Sequence, residues 1–282
     1  MPADCIPVIR PLDAVAMSRC QTRLDNLTKP LGSLGSFEEL ARKMAGITGQ
    51  ARLRALQPQI ILVNGNRRSS GLLDMFAGHV GAGIEEFNIP GEAVADPAEL
   101  RYILHRGIAV GKAAAAAGAR AVGLGATGEI DFATASMIIE WSRSGAEEPV
   151  DLLAKIGNVE LAALTGLVLG LAAGGAAVVL DGLATSLAAL IAVRLAPLSR
   201  EYLIGSHFPT ESGHAEALRL LDVPAYLFLE MNIGEGVGAA LGLSLLQASL
   251  HMLNDMKTFG EAQVHVAEDG PGALVQTSEV RD

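Results

Sequence analysis

Apolar positions in this chain fall into two kinds of run: amphipathic stretches at helical spacing, and short apolar blocks closed by turn residues. "DAVAMSRCQTRLDNL" has helical spacing, and "TKPLGSLG" after it is a loop broken by Pro30, Gly32 and Gly35. Ser36 reads as the cap of a second helix, "FEELARKMAGITGQ". "PQIILVNGN" has the form of a parallel strand leading into a loop. Glycines break the next stretch, where a helix near 70–86 is predicted, then a loop or arm. A helix over 98–117 with a glycine blemish follows, then a strand into "GLGATGE" and a helix over "DFATASMIIEWSRS". The pattern continues with a short helix at "EEPVDLLAKIG", a helix over 159–172 and the strand "AAVVLDG". Then come the helix "TSLAALIAVRLAP", the strand "REYLIGSH", the helix "SGHAEALRLLDV" and the extended "AYLFLEMNIGEG". A long helix, "VGAALGLSLLQASLHMLNDMKTF", closes the folded part.

This alternation predicts an α/β fold: a mostly parallel sheet with helices on both faces, plus a small helical subdomain from the N- and C-terminal helices. Residues 1–50 supply the N-terminal helices of that subdomain and 51–238 the α/β core. The helix over 239–264 packs with the N-terminal helices, and 265–282 is a polar tail.

Composition narrows the function. The 282 residues are 50% apolar, 18% charged and 4% aromatic, with 32 glycines, which excludes a disordered chain. A formal charge of −10 and the lack of a Lys/Arg cluster beyond Arg67-Arg68 argue against a nucleic-acid partner. A small molecule with one phosphate stays possible. Cys5 and Cys20 have no zinc spacing and read as two ordinary thiols, and no cofactor is expected. The uncharged run 161–180 has spanning length, but Gly174-Gly175 breaks it, so a buried helix and strand are expected and no membrane segment. The first residues show no apolar leader, which points to a cytoplasmic location.

Ligands of open α/β sheets bind outside the carboxyl ends of the strands. The loops there are "NGNRRSSG", "GLGATGEID", "LDGLATS", "GSHFPTESGH" and "NIGEGVGAA". The glycines of "GLGATGE" would let backbone approach a phosphate, although such loops are common. Asp181 ends a strand, where it reads as a helix cap or loop organiser. His207 and His214 flank Glu211 and suit a hydrogen-bonded structural pair better than a metal site. Glu235 stands alone between Gly234 and Gly236. It reads either as an acid placed for the dipole of the helix behind it, or as a general base at an apolar pocket.

Several stretches together resemble the nicotinate-nucleotide–dimethylbenzimidazole phosphoribosyltransferases. "RLDNLTKPLGSLGSFEELA" is similar to that family's N-terminal motif, LDxLTKPxGSLGxLExLA. "KIGNVELAALTG", "VVLDGLATSLAAL", "YLIGSHFPTESGH", "MNIGEGVGAAL" and "LNDMKTFGEAQV" follow in the family's order. The resemblance implies phosphoribosyl transfer from nicotinate mononucleotide to 5,6-dimethylbenzimidazole or a related base. The product is α-ribazole 5′-phosphate, for the lower ligand of cobalamin. It also implies a homodimer, no metal, and a glutamate base at Glu235. The alternative is a base- or nucleotide-binding protein of the same fold that is non-catalytic or works with an active paralogue.

On the loops and the resemblance together, Glu235 is the candidate catalytic residue. The candidate substrate-binding residues are Gly125, Gly128, Glu129, Gly157, Asp181, Gly182, Ser206, His207, Gly234 and Gly236. The chain departs from the family pattern in places. The first strand runs into "NGNRRSSG" where the family has an "ADHGV"-like loop. The stretch aligned with the family's "GEMGIGNTT" phosphate loop is "GATGEIDFA", with Ala126 at the acid position. Asp131 falls among the expected phosphate contacts, where its charge would repel a phosphate. Pro209 replaces a serine, and a lysine-bearing segment is missing before Glu147.

Overall fold

The computed structural model describes residues 6–65, 70–89, 96–145, 148–208, 210 and 212–263. It divides into two compact units, one taking Met1–Pro11 and Leu56–Ser244, the other Leu12–Ala55 and Leu245–Asp282, through the described residues each contains. Arg67, Arg68, Pro209, Glu211 and the 265–282 tail lie outside the described residues.

The larger unit is built on a five-stranded parallel sheet. Its strands are β1 (Gln59–Asn64), β2 (Gly83–Asn88), β3 (Ala121–Ala126), β4 (Ala177–Val179) and β5 (Leu203–Ile204), in the order β2-β1-β3-β4-β5. The chain starts at β1, steps out to the edge at β2, then returns past β1 to β3. The order therefore reverses beside β1, the kind of switch point outside which open α/β sheets bind ligands, at the carboxyl ends of the strands. β1, β3 and β4 are almost wholly buried, as expected of strands covered on both faces. The helices are α3 (Leu72–Val80), α4 (Pro97–Ala116), α5 (Phe132–Ser144), α6 (Pro149–Ile156), α7 (Val159–Ala173), α8 (Leu183–Leu195), α9 (Ser212–Leu221) and the first part of α10 (Val237–Asp255).

Three local differences from the sequence reading have physical causes. The predicted 70–86 helix is α3 followed by β2, because Gly81 takes a left-handed turn and "GIEEFN" pairs as an edge strand with mostly exposed side chains. The "REYLIGSH" strand shrinks to the two residues of β5, since Pro197–Tyr202 forms a 3-10 helix first. "AYLFLEMNIGEG" joins no strand ladder and makes only a single bridge, His207 to Leu227.

α7 is buried on every side, in keeping with its lack of a polar face. The glycine blemish of α4 is its contact with α7. A Cβ on Gly107 would stand 2.4 Å from Ala163 O, and one on Gly166 would stand 2.1 Å from Leu104 O. A Cβ on Gly111 or Gly170 would also meet backbone, at 2.8 and 2.3 Å, so the two helices meet main chain to main chain. The run that imitates a membrane span is this buried helix plus β4. α10 is long and apolar enough to span, but 56% of its apolar window is buried inside the protein.

In the smaller unit, α1 (Ala14–Asn26) is capped by Asp13, whose Oδ1 accepts from Val15 N and Ala16 N at 2.9 Å. α2 (Ser36–Thr48) begins at Ser36 itself. Its N-cap is Gly35, at φ 47°, and Glu38 reaches back to accept from Leu34 N at 3.0 Å. Ser36 is therefore not the cap that the sequence suggested. Lys29 of the "TKPLGSLG" loop meets Glu38 in a buried ion pair at 2.8 Å. Arg23 Nε donates to Leu253 O at 2.9 Å, and Asn254 Nδ2 to Leu53 O at 2.8 Å. α11 (Phe259–Ala262) opens with a capping box between Thr258 and Glu261.

Candidate functional site

A cavity of about 500 Å3 opens at the carboxyl ends of the strands. The loop after β3 lines it from Ala126 to Ile130, and the start of α8 from Gly182 to Thr185. His207 and Thr210 after β5, His214 of α9, and Met231 to Glu235 before α10 complete it.

The residues around Glu235 form a tight turn into α10. Gly236 has φ +96°, a conformation that side chains disfavour. A Cβ on Gly125 would meet Gly236 N at 2.5 Å and Glu235 C at 2.7 Å, so glycine in β3 is what lets this turn close onto the sheet. Ala126 N donates to Gly234 O at 2.9 Å, tying the turn to the strand end.

Asp181 organises the same turn from 55 residues away. Its Oδ2 accepts from Gly236 N at 2.7 Å and its Oδ1 from Ala239 N at 3.0 Å, so it caps α10 and not the adjacent α8. It is fully buried. Burial pushes its pKa up to about 7, against the backbone N–H groups of Gly236, Ala239 and Gly238, and the charge of Glu235 adds a smaller upward push.

Asp181 thus takes backbone donors at the start of α10, while Glu235 is hydrogen-bonded elsewhere. Its Oε2 accepts from Ser70 N at 2.8 Å and from Ser70 Oγ at 2.5 Å. The carboxylate is half-buried at the cavity, held in place by the segment that follows β1.

The two histidines line another part of the cavity, in ring contact with each other where the sequence suggested a hydrogen-bonded pair. Their rings meet edge to face at 5.7 Å. Ser206 Oγ donates to Leu180 O at 2.8 Å, so at 3.0 Å it accepts from His207 Nδ1, which fixes that tautomer. Burial lowers the pKa of His207 and pushes His214 down to about 4, with His207 adding to the latter shift. Both rings are therefore neutral at neutral pH. Among the described residues no group of three or more His, Cys, Asp or Glu could hold a metal.

The cavity thus gathers Gly128, Glu129, Gly182, His207, Gly234 and Glu235, while Asp181, Ser206, Gly125 and Gly236 support it from behind. Gly157 does something else: it is the left-handed C-cap of α6, at φ 70°, and does not line the cavity. Asp131 is also turned away. Its carboxylate caps α5, accepting from Thr134 N at 2.9 Å and Thr134 Oγ1 at 2.7 Å, and these bonds lower its pKa. Repulsion of a phosphate by Asp131 is accordingly not what this geometry shows.

The sequence reading passed over Glu160. This buried acid in the first turn of α7 accepts from Gly65 N at 2.8 Å and Gly128 N at 2.9 Å. It bridges the ends of β1 and β3. The signal was present in the sequence, since Glu160 is the only charged residue from Val159 to Leu180.

Asp181→Asn is expected to destabilise the protein, because an amide offers one acceptor where two buried N–H groups need one each. The cost should be about 1–3 kcal/mol below about pH 4. The folded protein holds the Asp181 proton up to about pH 7, whereas a free aspartate sheds it near 3.8. Wild-type stability from this group therefore falls as pH rises across that interval, and asparagine has no proton to lose. Urea unfolding should show a gap that is largest below about pH 4 and shrinks as pH rises to about 7. A gap independent of pH would contradict this account of Asp181.

Comparison with known proteins gives a consistent picture. A family model described as phosphoribosyltransferase matches residues 9–68 and 139–264. The chain is similar to the nicotinate-nucleotide–dimethylbenzimidazole phosphoribosyltransferase of Geobacter sp. (strain M21), at 31% identity over 91% of this chain and 97% of that protein. It is as similar to the protein of that name from Chloroflexus aggregans, at 31% identity over 91% and 96%. Its fold is similar to a crystal structure of the Thermus thermophilus protein, with a TM-score of 0.80, 23% identity, and coverage of 91% of this chain and 100% of the other. The first alignment runs over 339 positions, more than the 282 residues here, so that relative carries residues with no counterpart in this chain. The family model leaves 69–138 unmatched, and this span contains "GATGEIDFA", Asp131 included.

Proposed function

The chain belongs to the nicotinate-nucleotide–dimethylbenzimidazole phosphoribosyltransferase family, and on that premise we propose that its cavity joins a glycosyl donor to a benzimidazole-type base, with Glu235 as proton acceptor. The donor is nicotinate mononucleotide and the product α-ribazole 5′-phosphate, as the family's name and the resemblance imply. The observation that carries this reading is the placement of Glu235. Its carboxylate faces the cavity and is oriented by Ser70, while Asp181 takes backbone donors at the start of α10.

The chemistry follows from charge. The glycosidic nitrogen of the donor is a pyridinium, so nicotinate leaves with the bonding electron pair and no acid has to protonate it. The attacking base forms its new bond through one ring nitrogen and becomes positively charged. It then has an N–H proton to lose, and a fixed carboxylate beside it accepts that proton. The neutral histidines give another part of the cavity hydrogen-bonding capacity without charge.

We further propose that the protein is a homodimer, as the resemblance implies. Sedimentation at micromolar concentration should show the dimer, and a monomer throughout would contradict it. The catalytic proposal is tested by incubating the protein with millimolar nicotinate mononucleotide and dimethylbenzimidazole. Mass spectrometry should detect the glycosylated base together with released nicotinate. Base binding without product would favour the non-catalytic reading instead.

A further inference from the structure

Glu235 lies in the turn into α10, and Ser70, just ahead of α3, gives its Oε2 two hydrogen bonds. One comes from the backbone N–H at 2.8 Å and one from Oγ at 2.5 Å. Leu72 N donates to the same Oγ at 3.4 Å, which leaves the single hydroxyl proton for the carboxylate. Packing supports this approach. A Cβ on Gly236 would lie 3.2 Å from Ile60 Cγ2 of β1 and 3.3 Å from Leu73 Cδ1 of α3. The turn that carries Glu235 therefore rests on the first turn of α3 by side-chain contact as well as by the two hydrogen bonds.

Ser70 is exposed and does not line the cavity, so its influence on a reaction there passes through Glu235. A glutamate side chain has several rotamers, and only some present the carboxylate to a base in the cavity. Displacement of a reacting group by about 1 Å can cost a hundredfold in rate. The backbone N–H of Ser70 survives substitution by alanine. The hydroxyl is one of two bonds, and its removal should cost less than removal of the base itself.

We propose that Ser70 is a positioning residue for the proton transfer: its hydroxyl holds the Glu235 carboxylate in the orientation that meets the N–H of the acceptor base. This rests on the reading of Glu235 as proton acceptor.

The test is turnover of wild type, Ser70→Ala and Ser70→Thr at saturating donor, with dimethylbenzimidazole and with 1-methylbenzimidazole, which has no N–H proton to lose. Ser70→Ala is also combined with Glu235→Gln. Ser70→Ala should lower kcat with dimethylbenzimidazole about tenfold and leave KM for that base within about threefold. With the methylated base it should change nothing. Ser70→Thr keeps the hydroxyl and should recover most of the loss. In the Glu235→Gln background Ser70→Ala should cost nothing further, because no proton acceptor is left to position. An equal loss with both bases, or a second tenfold loss in the Glu235→Gln background, would overturn the positioning role and leave the proposed reaction standing. Full activity of Ser70→Ala with dimethylbenzimidazole would do the same. Wild type that forms no product from either base would overturn the reaction and this role with it.

Discussion

Gly166→Ala is expected to cost about 3 kcal/mol or more, the upper end for overpacking a buried site. The new methyl would lie 2.1 Å from Leu104 O, a backbone atom in the middle of α4 that no side-chain rotation can move. α4 and α7 would have to separate, and α7 has buried contacts on every side. Such a loss should lower Tm by roughly 6–12 °C at this chain length. Gly78→Ala is the control. Gly78 lies in α3 with nothing within 4 Å of its Cβ position, so alanine there should be neutral or slightly stabilising. Equal Tm values for the two variants would mean that the α4–α7 approach is not what those glycines secure.

Glu235→Gln is expected to keep the fold and lose turnover by about a hundredfold or more. The amide oxygen can still accept from Ser70 N and Ser70 Oγ, so the side chain should stay where it is. What it cannot do is take a proton. The loss should fall on kcat, with affinity for dimethylbenzimidazole within about threefold of wild type. Unchanged turnover would return Glu235 to the role of a structural acid. A large loss of base affinity with kcat intact would make it a binding residue only.

The sequence carried most of the sheet because parallel strands buried on both faces read as apolar blocks, and "IILVN" and "AVV" are such blocks. β2 escaped for the opposite reason. As an edge strand it exposes Glu85 and Glu86, and neither its composition nor its period differs from a helix end. The site was half legible. A lone acid between two glycines marked Glu235, because glycine on both sides signals a turn under constraint. The partners of that acid were not legible. Asp181 caps a helix that begins more than fifty residues later, and Ser70 lies on a different strand's loop. Such pairings depend on the strand order, which places β1, β3 and β4 side by side. Glu160 stayed unseen because a first-turn acid already has a local explanation in the helix dipole. Its second role exists only once Gly65 and Gly128 are brought to it. The reading of Asp131 failed in the same way from the other side. An expected phosphate neighbour turned out to be an ordinary helix cap, satisfied three residues away.

The central claim is that Glu235 removes the N–H proton of the acceptor base, and a base without that proton isolates it. 1-Methylbenzimidazole can attack through its free nitrogen, and its glycosylated product keeps its positive charge with no proton to shed. The measurement is the ratio of wild-type to Glu235→Gln turnover with this base and with dimethylbenzimidazole, at saturating donor. The account predicts a ratio of about a hundred or more with dimethylbenzimidazole and close to one with the methylated base. Equal ratios for the two bases would contradict it.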